Sequence, residues 1–159
     1  MYIRAEYKNQ RLFKQNKEIK AENLTYYINN NIEGNENVSI KDSLRLILGD
    51  SLYINYKDSL MDNISIRSNA KLYNSRHVIL KKYKDKKIIQ DKMESNNIFI
   101  DFHEDESINY IDLLGMATAD FTVVKDSMIK GHNNASGDTI SIKYKDKKLN
   151  VMEIKGGAI

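Results

Sequence analysis

Large apolar side chains recur at every second position along most of this chain, the spacing of strands that bury one face and wet the other. Leu52-Tyr53-Ile54-Asn55-Tyr56, Ile98-Phe99-Ile100-Asp101-Phe102 and Ile140-Ser141-Ile142-Lys143-Tyr144 each set three apolar or aromatic side chains on one face. Ala117 to Val123 continues the pattern with small residues first, and Leu24-Thr25-Tyr26 with Ile28 shows it near the start. A helical reading is weak. Only Arg11 to Ile19 has helix-suited composition, and it carries too few apolar positions at 3.6 spacing, so it reads as strand and turn. Polar punctuators that tolerate positive φ or bond their own backbone separate the strands: Asn29-Asn30-Asn31, Lys57-Asp58-Ser59, Lys84 to Lys87, His103 to Ser107 and Lys145 to Lys148. At 159 residues, with no Gly/Ser-rich or charge-block linker, residues 1–159 read as a single domain, alone or as a fragment of a longer protein.

A two-strand unit repeats along this pattern. Its opening phrase leads through polar residues to a large apolar one: Ala21-Glu22-Asn23-Leu24, Gly49-Asp50-Ser51-Leu52, Ser95-Asn96-Asn97-Ile98 and Gly137-Asp138-Thr139-Ile140. Its closing phrase ends on small residues, as in Ile32 to Val38, Ile64 to Ala70, Ile111 to Ala117 and Val151 to Ala158. Linking segments end in Asp42-Ser43, Asn74-Ser75 and Asp126-Ser127, each a candidate Asx turn. The openings stand 28, 46 and 42 residues apart, from Leu24 to Leu52 to Ile98 to Ile140. Such uneven spacing suits stacked antiparallel strand pairs and not a solenoid of fixed rung length.

At these phrases the sequence resembles the OstA-like family, the N-terminal domain of organic-solvent-tolerance proteins, related to periplasmic components of lipopolysaccharide transport. The residues that carry the resemblance are Ala21 to Tyr27, Ile32 to Val38, Gly49 to Tyr56 and above all Asn133 to Ile140 running on to Glu153-Ile154-Lys155-Gly156-Gly157-Ala158. The resemblance implies an all-β, open β-jelly-roll of two twisted antiparallel sheets, periplasmic, with an interior that receives lipid acyl chains. It implies lipopolysaccharide or a similar glycolipid as ligand, and like domains joined edge to edge. No catalytic residue and no cofactor carries over. On this reading the groove is lined by Leu24, Tyr26, Leu52, Ile54, Tyr56, Ile98, Ile100, Phe102, Phe121, Val123, Ile140, Ile142 and Tyr144. The alternative is a structural or adhesive β-repeat module with a dry core. Each buried methylene contributes about 0.8 kcal/mol in either case, so composition does not separate groove from core.

The edge strands, near Tyr2 to Tyr7 and Leu149 to Ile154, lack proline, which leaves them open to strand pairing and head-to-tail homo-oligomers. Lys81 and Lys82, in the most basic run, are candidates for a lipid head group, against the plainer reading of a solvated hairpin tip. Lys+Arg 25 against Asp+Glu 22 leaves +3, too small a field to imply nucleic acid. Zero Cys removes disulfides, thiolate zinc sites, iron–sulfur clusters and a cysteine nucleophile. His77, His103 and His132 have no second ligand at metal spacing, and His103-Glu104-Asp105-Glu106 reads as a solvated corner, so no metal is expected. The Gly-x-Ser-x-Gly elbow is absent and no triad is placed, so no enzyme is expected. No run approaches the roughly 18 apolar residues of a membrane helix, and Met1 to Arg4 is not followed by the core of a secretory signal.

Overall fold

A computed structural model describes residues 7–14, 16–27, 31–81 and 86–157 of the chain. They form nine strands: β1 (Tyr7–Lys14), β2 (Lys17–Tyr26), β3 (Ile32–Lys41), β4 (Arg45–Lys57), β5 (Leu60–Ile79), β6 (Lys86–Phe102), β7 (Ile108–Lys125), β8 (Met128–Lys145) and β9 (Lys148–Lys155). Each pairs antiparallel with the next, so strand order in the sheet follows chain order. The Arg11 to Ile19 run is strand and turn, as its composition suggests: β1 ends at Lys14, Asn16 has φ 61 and β2 begins at Lys17. Asp58-Ser59, Asp126-Ser127 and Asp146-Lys147 are two-residue hairpin loops with both φ values positive, the mirror-image turns whose twist matches that of the flanking strands.

A single flat sheet leaves both faces wet, yet this one buries a continuous cluster that includes Ile19, Ile54, Leu72, Met93, Ile100, Ile111 and Ile142. Among the described residues there is no second element to cover them, and the sheet covers itself. Midway along β3, β5 and β7 one extra residue is inserted relative to the neighbouring strands. Arg67 to Ala70 is three steps on β5, where the paired residues Asn97 to Ser95 take two on β6. The same mismatch falls at Asn35/Val38 on β3 and at Leu114/Ala117 on β7. At each insertion two successive residues are left-handed: Glu36-Asn37, Ser68-Asn69 and Gly115-Met116, with Gly156-Gly157 continuing the series just beyond β9. A bulge bends and overtwists its strand. Bulges at one level on alternate strands therefore form a crease across the whole sheet, and the two halves fold face to face.

Contacts across the fold fix this arrangement. Arg45, at the start of β4, lies over the ring of Phe102, at the far end of β6, 5.4 Å from its centroid. Lys17, at the start of β2, bonds Glu106 in the β6–β7 turn at 3.5 Å. Along the strand direction those residues lie at opposite ends of the sheet, and only a doubled-over sheet brings them together.

The chain is all-β, as expected, in one open antiparallel sheet whose strands, such as β5 and β6 at 20 and 17 residues, are long enough to run through both layers. One expectation is corrected. Asn74-Ser75 is not a turn but lies inside β5, paired with Asp91 and Gln90 on β6. Ladder pairing there outweighs the local Asx preference. Asp42 does form the expected turn, its Oδ1 accepting from the backbone N–H of Leu44 and Arg45 at 2.9 and 2.7 Å.

Candidate functional site

The repeated phrases are the two sides of the crease. Openings lie on β2, β4, β6 and β8, closings on β3, β5, β7 and β9, and register pairs Leu24 with Gly34, Leu52 with Ile66, Ile98 with Leu113 and Ile140 with Ile154. At each corner a polar side chain of the opening phrase meets the left-handed pair of the closing phrase. Asn37 Nδ2 donates to Glu22 Oε1, and Asn69 Nδ2 donates to Asp50 Oδ2 at 2.7 Å. Asn96 fills the space over Gly115, and Asp138 the space over Gly156, where a Cβ would fall 2.8 and 2.1 Å from those side chains. Inside the crease the layers converge, and the inward residues are small: Ala21, Ala70, Ser95 and Ala117 are buried there.

Away from the crease the interior widens and takes large aliphatic residues. Of the groove candidates, Leu52, Ile54, Ile98, Ile100, Ile140 and Ile142 are inward and enclosed, at 2% exposure or less. Leu24, Tyr56, Phe102 and Phe121 are inward and buried nearer the margins. Val123 and Tyr144 are half-buried. Tyr26 is exposed and is not brought into the interior. At these enclosed positions the side chains form one continuous apolar cluster.

Opposite the crease the layers part into a slot of about 720 Å³, lined on one side by Lys17, Arg45 and Arg76 and on the other by Glu106, Ile108 and Tyr144. Charge pairs bound this rim. Lys17, only 7% exposed, meets Glu106, whose Oε1 also accepts from the Met61 N–H at 3.3 Å. Arg45 pairs with Asp42 at 2.9 Å. Arg76 pairs with the buried Asp91 at 3.2 Å and also donates to the Thr122 carbonyl, while Thr122 N–H donates to Asp91 Oδ1 at 3.1 Å. Burial raises the phenol pKa values here. Tyr56 is pushed up to about 12, by desolvation first and then by the charge of Glu106, and Tyr144 is pushed higher still by burial with Asp91 nearby. Cations and acids alternate around the slot, so it is a polar seal on an apolar interior.

Lys81 is exposed in the turn after β5, its N–H bonded to Ser127 O at 3.0 Å, and it does not line the slot. Lys82 lies outside the described residues, as do residues 2–6 of the expected first edge strand. The strand that occupies that edge is β1, and β9 occupies the other, as expected near Leu149 to Ile154. The sequence reading missed the rim: Lys17, Arg45, Arg76, Asp91 and Glu106 stand in four different strands and one turn, and no spacing links them. The one available signal was polarity at inward positions, since Asp91 interrupts the alternation that Ile89 and Met93 carry.

Among the described residues no group of His, Asp and Glu is placed to hold a metal ion, and no helix is long and apolar enough to cross a membrane. No protein-family model matches the chain, and no curated protein matches it.

Proposed function

We propose that the chain is a non-catalytic lipid-conduit domain of the OstA-like kind, a jelly-roll that shields the acyl chains of lipopolysaccharide or a similar glycolipid in the periplasm on the way to the outer membrane. The observation that carries this reading is the shape of the apolar interior. Inward aliphatic residues run unbroken from Ile19 on β2 to Ile142 on β8, and among the described residues the sheet ends in two unclosed edges, β1 and β9. An apolar interior bounded at its sides by such edges continues into a neighbour once strands pair edge to edge. Acyl chains enter by parting the layers at the rim, where polar pairs and not interdigitated aliphatics hold them. Each contact between side chains is then exchanged for one between side chain and acyl chain, at similar free energy per methylene. Transfer of this type makes and breaks no bond.

Native mass spectrometry of gently purified protein, with displacement of a fluorescent alkyl probe, tests the reading. Co-purified lipid and saturable displacement are expected. Rejection of every amphiphile favours the second reading, a structural or adhesive module with a dry core. The enclosure of Ile54, Leu72 and Met93, each at 0% exposure, is the observation on that side.

A further inference from the structure

The outer surface of the half-sheet that carries Leu52 and Ile100 differs from the outer surface of the other half. The latter is charged and paired, with Lys71 and Lys92 on Glu94 at 3.4 and 3.1 Å. The former mixes charges with hydroxyls, amides, the exposed ring of Tyr53 and the half-buried rings of Phe99 and Tyr110. Register places Tyr53 on β4, Ser65 on β5, Phe99 on β6 and Asp112 on β7 in one row across it. Tyr53 and Phe99 thus stand two strand spacings apart, about 10 Å, with the short Ser65 as the floor between them. Tyr110 extends the second ring, packed on Phe99 at 5.8 Å between centroids and 35° between planes.

We propose that this face is a binding platform for a neutral oligosaccharide. A pyranose offers C–H faces that stack on aromatic rings and a girdle of hydroxyls that pair with amides and carboxylates. Both are provided here: a shallow depression of about 180 Å³ beside Tyr53 is lined by Glu33, Asn35, Ser51, Ser65 and Arg67. The platform is preset. The Tyr53 hydroxyl accepts from Asn31 Nδ2 at 2.7 Å, and Tyr27 donates to Glu33 Oε2 at 2.6 Å, so two contact groups are fixed before a ligand arrives. Tyr53 nevertheless remains 40% exposed, its ring free to stack. Charge selects the occupant. Glu33, Asp101, Asp112 and Glu153 outnumber Arg67, Lys143 and Lys155 on this face, which disfavours the phosphates of single-stranded nucleic acid, the other polymer that stacks on exposed rings. The platform lies on the opposite side of the sheet from the apolar interior and does not depend on what that interior holds.

Titration of the full chain with lipid-free chitohexaose and maltohexaose, followed by calorimetry and backbone amide shifts, tests the proposal. Saturable binding of at least one sugar is expected, with shifts at Ser51, Ser65 and Phe99. Tyr53→Ala weakens it about tenfold, the loss typical of an aromatic anchor, and Tyr73→Ala on the other half leaves it unchanged. Ser65→Leu, which raises the floor without removing a ring, weakens it too and covers a failure of Tyr53→Ala to fold. Indifference to both sugars at millimolar concentration overturns the proposal. So do shifts confined to other faces, wild-type affinity in folded Tyr53→Ala, or preferential binding of oligouridylate.

Discussion

Gly49 lies on β4 at the crease, where a Cβ would come within 2.2 Å of Ile66 Cγ2. Gly49→Ala therefore overpacks the inside of the fold and costs about 1–3 kcal/mol, read as a lower urea midpoint at unchanged slope. Tyr56 gives the residue-scale pH dependence. Its phenol is raised from 10.0 to about 12 in the folded chain, chiefly by burial, so folding favours the neutral form. The stability this contributes is fully present below pH 10 and is lost as pH rises from 10 through 12. Urea unfolding from pH 8 upward will show stability falling over that window, and Tyr56→Phe will flatten the fall. A wild-type slope in Tyr56→Phe would assign the loss to other groups. Asn37, Asn69, Gly115 and Gly156 occupy left-handed positions, one in each closing phrase. The repeat was legible in the sequence because those residue types recur, but their geometry was not. Asn and Gly serve turns and mid-strand bulges alike, and only pairing partners distinguish the two uses.

Strands carry a clearer trace of the crease than single residues do. On odd strands the inward positions keep their phase across it, as Ile64, Ile66, Ala70 and Leu72 do on β5. On even strands the phase breaks. The inward series runs Met93, Ser95, then Ile98 on β6, so Asn96 and Asn97 both face outward at the convex corner. Alternation identified the half-strands Leu52 to Tyr56, Ile98 to Phe102, Ala117 to Val123 and Ile140 to Tyr144, and left the joints unread, since a slip of phase also marks an ordinary strand end. The more polar half-strands, such as Lys86 to Ser95 on β6 and Met128 to Ser136 on β8, were not legible either, and the continuity of 17 to 20 residues through two layers was set by tertiary pairing. The rim between elements is held by the Glu106 carboxylate. Glu106→Ala strips the partner from a nearly buried Lys17 and an acceptor from Met61, at about 1–3 kcal/mol. Amide exchange will quicken at Lys17, Met61 and their neighbours while Ala70 and Ala117 at the crease stay protected. Uniform quickening would place the effect in global stability instead.

At the scale of the whole molecule the account joins an open sheet to an apolar interior. Exposed Leu149 and Val151 lie on β9, whose outer side has no partner strand among the described residues. Light scattering is expected to show mass rising with concentration, and Leu149→Lys with Val151→Lys to hold the chain monomeric, since charge on an edge strand opposes pairing. A wild-type chain that stays monomeric at high concentration counts against edge pairing. The conduit itself rests on whether alkyl chains go between the layers. A nitroxide-labelled stearate added to protein with labelled methyl groups reports this directly: the account predicts broadening at Leu52, Ile54, Ile100 and Ile140. Broadening confined to outward residues such as Met116 and Ile88, or none at all, would contradict it.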